Sequence, residues 1–65
     1  MITVKLKRGC YVNEWSGRSD RDVWHRKGDE FEVDPNNIVD DCYEIDADEW
    51  GTMYVPVNCC VEVSD

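Results

Sequence analysis

A small, all-β, five-stranded antiparallel barrel is the fold this chain predicts, on three observations. Three segments alternate apolar and polar residues with a period of two, and no segment of ten or more residues holds a helical apolar period. Turn-forming residues separate the segments. Closure into a barrel is expected because an open sheet this small would leave edges free to pair with other chains.

The elements follow in order. "ITVKLKR" sets Ile2, Val4 and Leu6 against Thr3, Lys5 and Lys7, a strand with one buried face, and Gly9 ends it. Residues 13–28, "NEWSGRSDRDVWHRKG", are polar and rich in Ser, Gly and Asp, and are expected to form a long irregular loop. "DEFEVD" alternates again, with Phe31 and Val33 inward. "PNN" is turn chemistry, since Pro35 fixes φ and Asn36 and Asn37 tolerate the left-handed region. "DCYEID" is a third alternating strand with Tyr43 and Ile45 inward. "TMYVP" and "CCVEV" supply the fourth and fifth, with at most one short helical turn near Pro56.

Sixty-five residues make one domain, 1–65, near the size at which a chain hides only about 60% of its unfolded surface. No apolar run approaches the roughly 18 residues that span a bilayer. "MITVKLKRGC" lacks the continuous apolar core of a signal peptide, and Met1 opens directly into a strand. The expectation is a complete cytoplasmic protein.

Charge is unevenly distributed. Residues 1–27 hold all seven basic groups against three acids, a balance of +4, while residues 28–65 hold twelve acids and no base. The net charge of −8 disfavours direct nucleic-acid binding and adsorption to anionic membranes. With the bases gathered in the first strand and long loop, and the acids on later strands, a large dipole is expected.

Cys10, Cys42, Cys59 and Cys60 leave three readings. A disulfide framework would need an oxidising compartment, and no export signal supports one. Zinc would need ligand spacing that the chain lacks, with no Cys-x-x-Cys pair and His25 as the single histidine. Free, mostly buried thiols are the expectation, with no metal and no cofactor. Residues 46–49, "DADE", lack the glycine and spaced ligands of a calcium loop. His25 beside a cysteine could form a base and nucleophile, but a barrel this small offers no deep pocket, so no enzymatic activity is expected.

"KGDEFEV" (27–33) and "YVPVN" (54–58), with "YVNEW" (11–15) by gapless counting from Gly28, together resemble the Src-homology-3 (SH3-like) family over residues 11–63. The resemblance implies a diverging turn at Gly28 and Asp29, and a long loop between the first two strands. Pro56 and Asn58 match the family's aromatic–aliphatic–Pro–Ser–Asn motif. Its peptide groove, however, would place Asn13, Trp15, Cys42 and Cys59 at the aromatic positions, so three aromatic walls are missing. Binding of proline-rich peptides is therefore not expected. A second register stays open, with Ile2–Leu6 as the true first strand and a longer loop after it.

Two functional readings remain. The first is a small non-enzymatic interaction module, by analogy with bacterial and phage accessory products of this size and acidity. It would bind, and modulate or inhibit, a protein partner with a basic surface. Trp15, Trp24 and Trp50 fall in or beside loops, and tryptophan is enriched at interface hot spots. One or two of the three are expected to plug the core and at least one to be exposed. Loop acids Asp20 and Asp22 would join them, with Tyr54, Pro56 and Asn58. If Phe31, Val33, Tyr43 and Ile45 face inward, then Glu30, Glu32, Asp34, Glu44, Asp46 and Asp48 face outward, on two strands expected to pair. The second reading is an acidic nucleic-acid mimic that blocks a DNA- or RNA-binding enzyme. Alternate strand carboxylates stand about 6.6–6.8 Å apart, close to two phosphate repeats of ~3.4 Å.

Overall fold

A computed structural model describes residues 1–47 and 51–63. The chain is all-β, as expected, but it builds eight strands among the described residues, in two antiparallel sheets and without a closed barrel. The strands are β1 (Ile2–Leu6), β2 (Cys10–Ser16), β3 (Ser19–His25), β4 (Glu30–Val33), β5 (Ile38–Val39), β6 (Cys42–Ala47), β7 (Gly51–Pro56) and β8 (Cys60–Glu62). One 3-10 turn, Val57–Cys59, follows Pro56 and leads into β8, the position expected for a short helical turn. A three-stranded sheet runs β4-β1-β8, and a five-stranded sheet runs β3-β2-β7-β6-β5.

The extra strands come chiefly from residues 13–28, where an irregular loop was expected. They form most of a hairpin of two seven-residue strands that pairs Cys10 with His25 and Ser16 with Ser19. Its two-residue turn begins at Gly17, whose φ of +59° suits the first central position of a hairpin turn. Cross-strand chemistry replaces the missing apolar content. Arg21 Nε and Nη2 donate to Glu14 Oε1 at 3.2 and 3.1 Å, and Asn13 Nδ2 donates to Asp22 Oδ1 at 3.0 Å. Tyr11 and Trp24 meet edge to face at 5.0 Å. Directly opposed pairs of this kind contribute about 0.2–1 kcal/mol each.

Ile2–Leu6 is the first strand, but the second begins at Cys10 and contains Tyr11–Trp15, so no long loop follows β1. Leu6 N–H donates to Asp29 O, and Gly28 N–H donates to Leu6 O at 2.8 Å, so the end of β1 grips the turn before β4. That turn, residues 26–29, is closed by Asp29 N–H to Arg26 O at 3.1 Å. The turn after β4 behaves as read. Asn37 N–H donates to Asp34 O at 3.0 Å, and Asn36 N–H donates to Asp34 Oδ1 at 2.9 Å, with Pro35 between.

Val4, Leu6, Val12, Val33 and Val55 are fully buried between the sheets, each contributing about 1.5–3 kcal/mol by leaving water. Cys59 joins them, with Cys10, Phe31, Ile45, Met53 and Cys60 packed around. Neither described tryptophan plugs the core: Trp15 and Trp24 are exposed, and Trp50 lies outside the described residues. Gly51 makes one approach possible. Its φ is +83°, and a side chain there would collide with the Trp15 carbonyl oxygen on β2.

Candidate functional site

Strand alternation sets the two faces of the five-stranded sheet. Val12 and Val55 point inward, so their neighbours point out. The register then places Asn13 opposite Tyr54, Trp15 opposite Thr52, and Tyr54 opposite Glu44. It also sets Trp24 beside Tyr11, Asp22 beside Asn13, and Asp20 beside Trp15. Asp46 pairs with Thr52 and Pro56 with Cys42. Eight residues singled out from the sequence, Trp15, Asp20, Asp22, Trp24, Glu44, Asp46, Tyr54 and Pro56, therefore share one outer face.

Its aromatic groups face water. Tyr11 is 61% exposed, Trp24 56% and Trp15 43%. Between them and β5 lies a groove of about 350 Å³ lined by Asn13, Trp15, Val39, Asp40, Cys42 and Tyr54. Of the four positions that gapless alignment assigned to a peptide groove, Asn13, Trp15 and Cys42 are thus neighbours, with Tyr54 as a second aromatic wall, whereas Cys59 is buried in the core. Desolvation, the Glu44 charge and a hydrogen bond to Glu44 hold the Tyr54 phenol above its ordinary value. Burial and the charges of Asp40 and Asp41 push the Cys42 thiol up in the same way.

The remaining residues are placed elsewhere. Glu30 and Glu32 lie on β4, across from Lys5 and Thr3 of β1, on the outer face of the three-stranded sheet. Asp34 opens the turn after β4, and Asn58 is exposed in the 3-10 turn. Asp48 and Trp50 lie outside the described residues. The expected pairing of the two acidic strands does not occur. β4 pairs with β1, and β6 pairs with β5 and β7, because the turn at 34–37 carries the chain into β5, which takes the edge of β6. Glu32, Asp34, Glu44 and Asp46 approach only at the seam between the sheets, where they line a shallow groove. Nor are the charges cleanly segregated, since Lys5 stands opposite Glu30 and Arg21 is bound to Glu14.

Tyr11, Val39 and Asp40 were missed. The alternation Tyr11, Asn13, Trp15 was visible in "YVNEW", but the polar composition of the following residues masked it as loop. Val39 and Asp40 reach the groove only through the two-residue strand β5, too short to carry a pattern.

The single histidine is embedded in structure. His25 Nδ1 lies 3.1 Å from Asp29 Oδ2, which also accepts the Arg26 N–H at 3.1 Å, and the ring meets Phe31 edge to face at 5.3 Å. Nε2 is buried without a partner, and Cys10 is the cross-strand neighbour of His25. A histidine oriented by a carboxylate beside a thiol has the outline of a nucleophile and base. Here burial, a hydrogen bond to Cys59 and the Cys59 charge push the Cys10 thiol up to about 11, away from the thiolate that such chemistry needs. Among the described residues no three His, Cys, Asp or Glu side chains are placed to hold a metal ion, and no helix is long and apolar enough to cross a membrane. No family model, no curated protein and no solved structure matches the chain, so its function must be argued from this face itself.

Proposed function

We propose that this protein is a small non-enzymatic interaction module that binds a protein partner with a basic surface through the outer face of its five-stranded sheet, and modulates or inhibits that partner. One observation carries the reading. Tyr11, Trp15 and Trp24 stand exposed on one sheet face among Asp20, Asp22, Glu44 and Asp46, and none of the outward positions of β2, β3, β6 and β7 is basic. Exposed rings supply area that a partner can bury at low rotamer cost, and the acids select its charge.

The architecture is best read as a divergent SH3-like fold, opened into two sheets, whose long early loop has become the β2–β3 hairpin. In favour stand the element order, the turn at residues 26–29, and the 3-10 turn between Pro56 and the last strand. A non-catalytic role is favoured by the raised thiols and the structural engagement of His25. Four free cysteines suit a reducing compartment such as the cytoplasm.

Affinity capture at low and high salt tests the reading. The wild-type chain should retain its partner as salt rises, and a Trp15→Ala/Trp24→Ala variant should lose it. Capture that collapses with salt yet survives loss of both tryptophans would replace the module with the nucleic-acid mimic.

A further inference from the structure

We propose that Cys10 and Cys59 form a dithiol site that a low-molecular-weight disulfide, such as oxidised glutathione, converts to an intramolecular disulfide joining the two sheets. The proposal is independent of the partner-binding reading.

Position singles out this pair among the four thiols. Cys59 is 7% exposed in the core cluster, and Cys10, on the inner face at the start of β2, packs against that cluster. The other two are differently engaged. Cys60 Sγ donates to the Pro56 carbonyl at 3.3 Å, and Cys42 lines the outer groove. Adjacent Cys59 and Cys60 are thus separated by conformation, one in the 3-10 turn and one opening β8.

The chemistry balances with a named oxidant. The Cys10 thiolate, on the more accessible residue, attacks one sulfur of oxidised glutathione and releases one glutathione thiolate. The Cys59 thiolate then attacks the Cys10 sulfur of the mixed disulfide and releases the second. Two protein thiols are oxidised, one small disulfide is reduced, and two protons leave. The reaction is slow at neutral pH because the raised Cys10 thiol supplies little thiolate. Its rate should climb about tenfold per pH unit below the thiol's pKa of about 11.

The bridge has a structural consequence. The two sheets share no strand ladder, and their junction is side-chain packing around Leu6, Val12, Val55 and Cys59. A covalent link from β2 to the segment before β8 would close residues 10–59 into one loop when unfolded.

The test uses the full chain, reduced and then incubated with oxidised glutathione at pH 8.5. Expected are an intact mass lower by two hydrogens, a peptide map linking Cys10 to Cys59, and a Tm higher by on the order of 10 °C or more, reversed by dithiothreitol. Cys42→Ser should behave as wild type, whereas Cys10→Ser should stop at mixed disulfides without the gain in Tm. A bridge that uses Cys42 or Cys60, mixed disulfides alone in the wild type, or an unchanged Tm after bridging would overturn the proposal. The wild-type map is decisive even if a variant fails to fold.

Discussion

On the three-stranded sheet the solvent face carries Thr3, Lys5, Glu30, Glu32 and Val61, with Lys5 directly across from Glu30. On the five-stranded sheet it carries Tyr11, Trp15 and Trp24 among Asp20, Asp22, Glu44 and Asp46. Both faces meet the same water, and both cover the same core. The first is an ordinary solvated surface of mixed sign, which blunts association. The second exposes aromatic area and one sign of charge, a composition that solubility does not require and that recognition does. Under the proposed reading, the difference would place the interaction on one side of a 65-residue molecule.

The largest expected effect comes from removing that aromatic area. Trp15→Ala/Trp24→Ala should weaken partner binding by roughly 1000-fold, as for paired hot-spot truncations of ~2 kcal/mol each, read by calorimetry. Lys5→Ala/Glu30→Ala, on the opposite sheet, should change affinity less than about threefold. If the two double variants weaken binding equally, the contrast between the faces has no functional meaning. Thermal melts of both serve as a control, because Trp24→Ala also removes the Tyr11 contact, worth about 0.5–1.5 kcal/mol.

Charge on the same face should act next, and on rate more than on lifetime. Glu44→Lys/Asp46→Lys should slow association tenfold or more at low salt, within the ~10–10³ range of electrostatic steering, and the deficit should shrink at high salt. Stopped-flow measurements at two ionic strengths separate these outcomes. Association equally fast in the variant would reduce the acids to a solvated surface and leave the aromatics alone.

What the sequence disclosed divides along the same line. Strands with one apolar face, β1, β4 and β6, were legible because burial imposes a period of two on Ile2, Val4 and Leu6, on Phe31 and Val33, and on Tyr43 and Ile45. The β2–β3 hairpin was not, because the Arg21–Glu14 ion pair, the Asn13–Asp22 hydrogen bond and the Tyr11–Trp24 contact tie its strands together, and these write no hydrophobic period. Its misreading as a loop still placed Trp15, Trp24, Asp20 and Asp22 near one another. Pairing between strands was the other illegible quantity. Which edge β4 takes depends on the turn at residues 34–37, and no local pattern in Glu30–Val33 encodes it.

The junction between the sheets offers a pH test. Burial and Cys59 raise the Cys10 thiol from 9.0 to about 11, so the folded chain holds this proton more tightly than the unfolded chain. Its contribution to stability is complete below pH 9 and is lost as pH rises from 9 to about 11. Tm should fall across that window in reduced protein, and Cys10→Ala should flatten the fall. The raised Tyr54 phenol acts in the same direction at higher pH, so Tyr54→Phe is the needed control. An equally steep decline in the Cys10→Ala/Tyr54→Phe variant would place the alkaline sensitivity elsewhere.

The smallest effect concerns the rim of the groove. Val39 pairs with Cys42 across a two-residue turn, and both turn residues have positive φ, 50° at Asp40 and 61° at Asp41. Such a turn matches the twist of the flanking strands, and glycine is preferred at its second position because a Cβ is strained there. Asp41 also stands beside a second carboxylate, and its backbone carbonyl accepts the Val57 N–H at 3.0 Å, a bond that glycine would keep. Asp41→Gly should therefore stabilise the fold by about 0.5–1 kcal/mol, with a Tm rise of a few degrees, although added freedom in the unfolded chain offsets part of the gain. The same change removes one of the charges that raise the Cys42 thiol, so alkylation of Cys42 at pH 8 should quicken. Asp40 stays in the groove lining, and partner affinity should stay within about twofold. A loss of affinity beyond tenfold, with Tm raised as expected, would move the recognition site from the aromatic rings to the acidic turn at their edge.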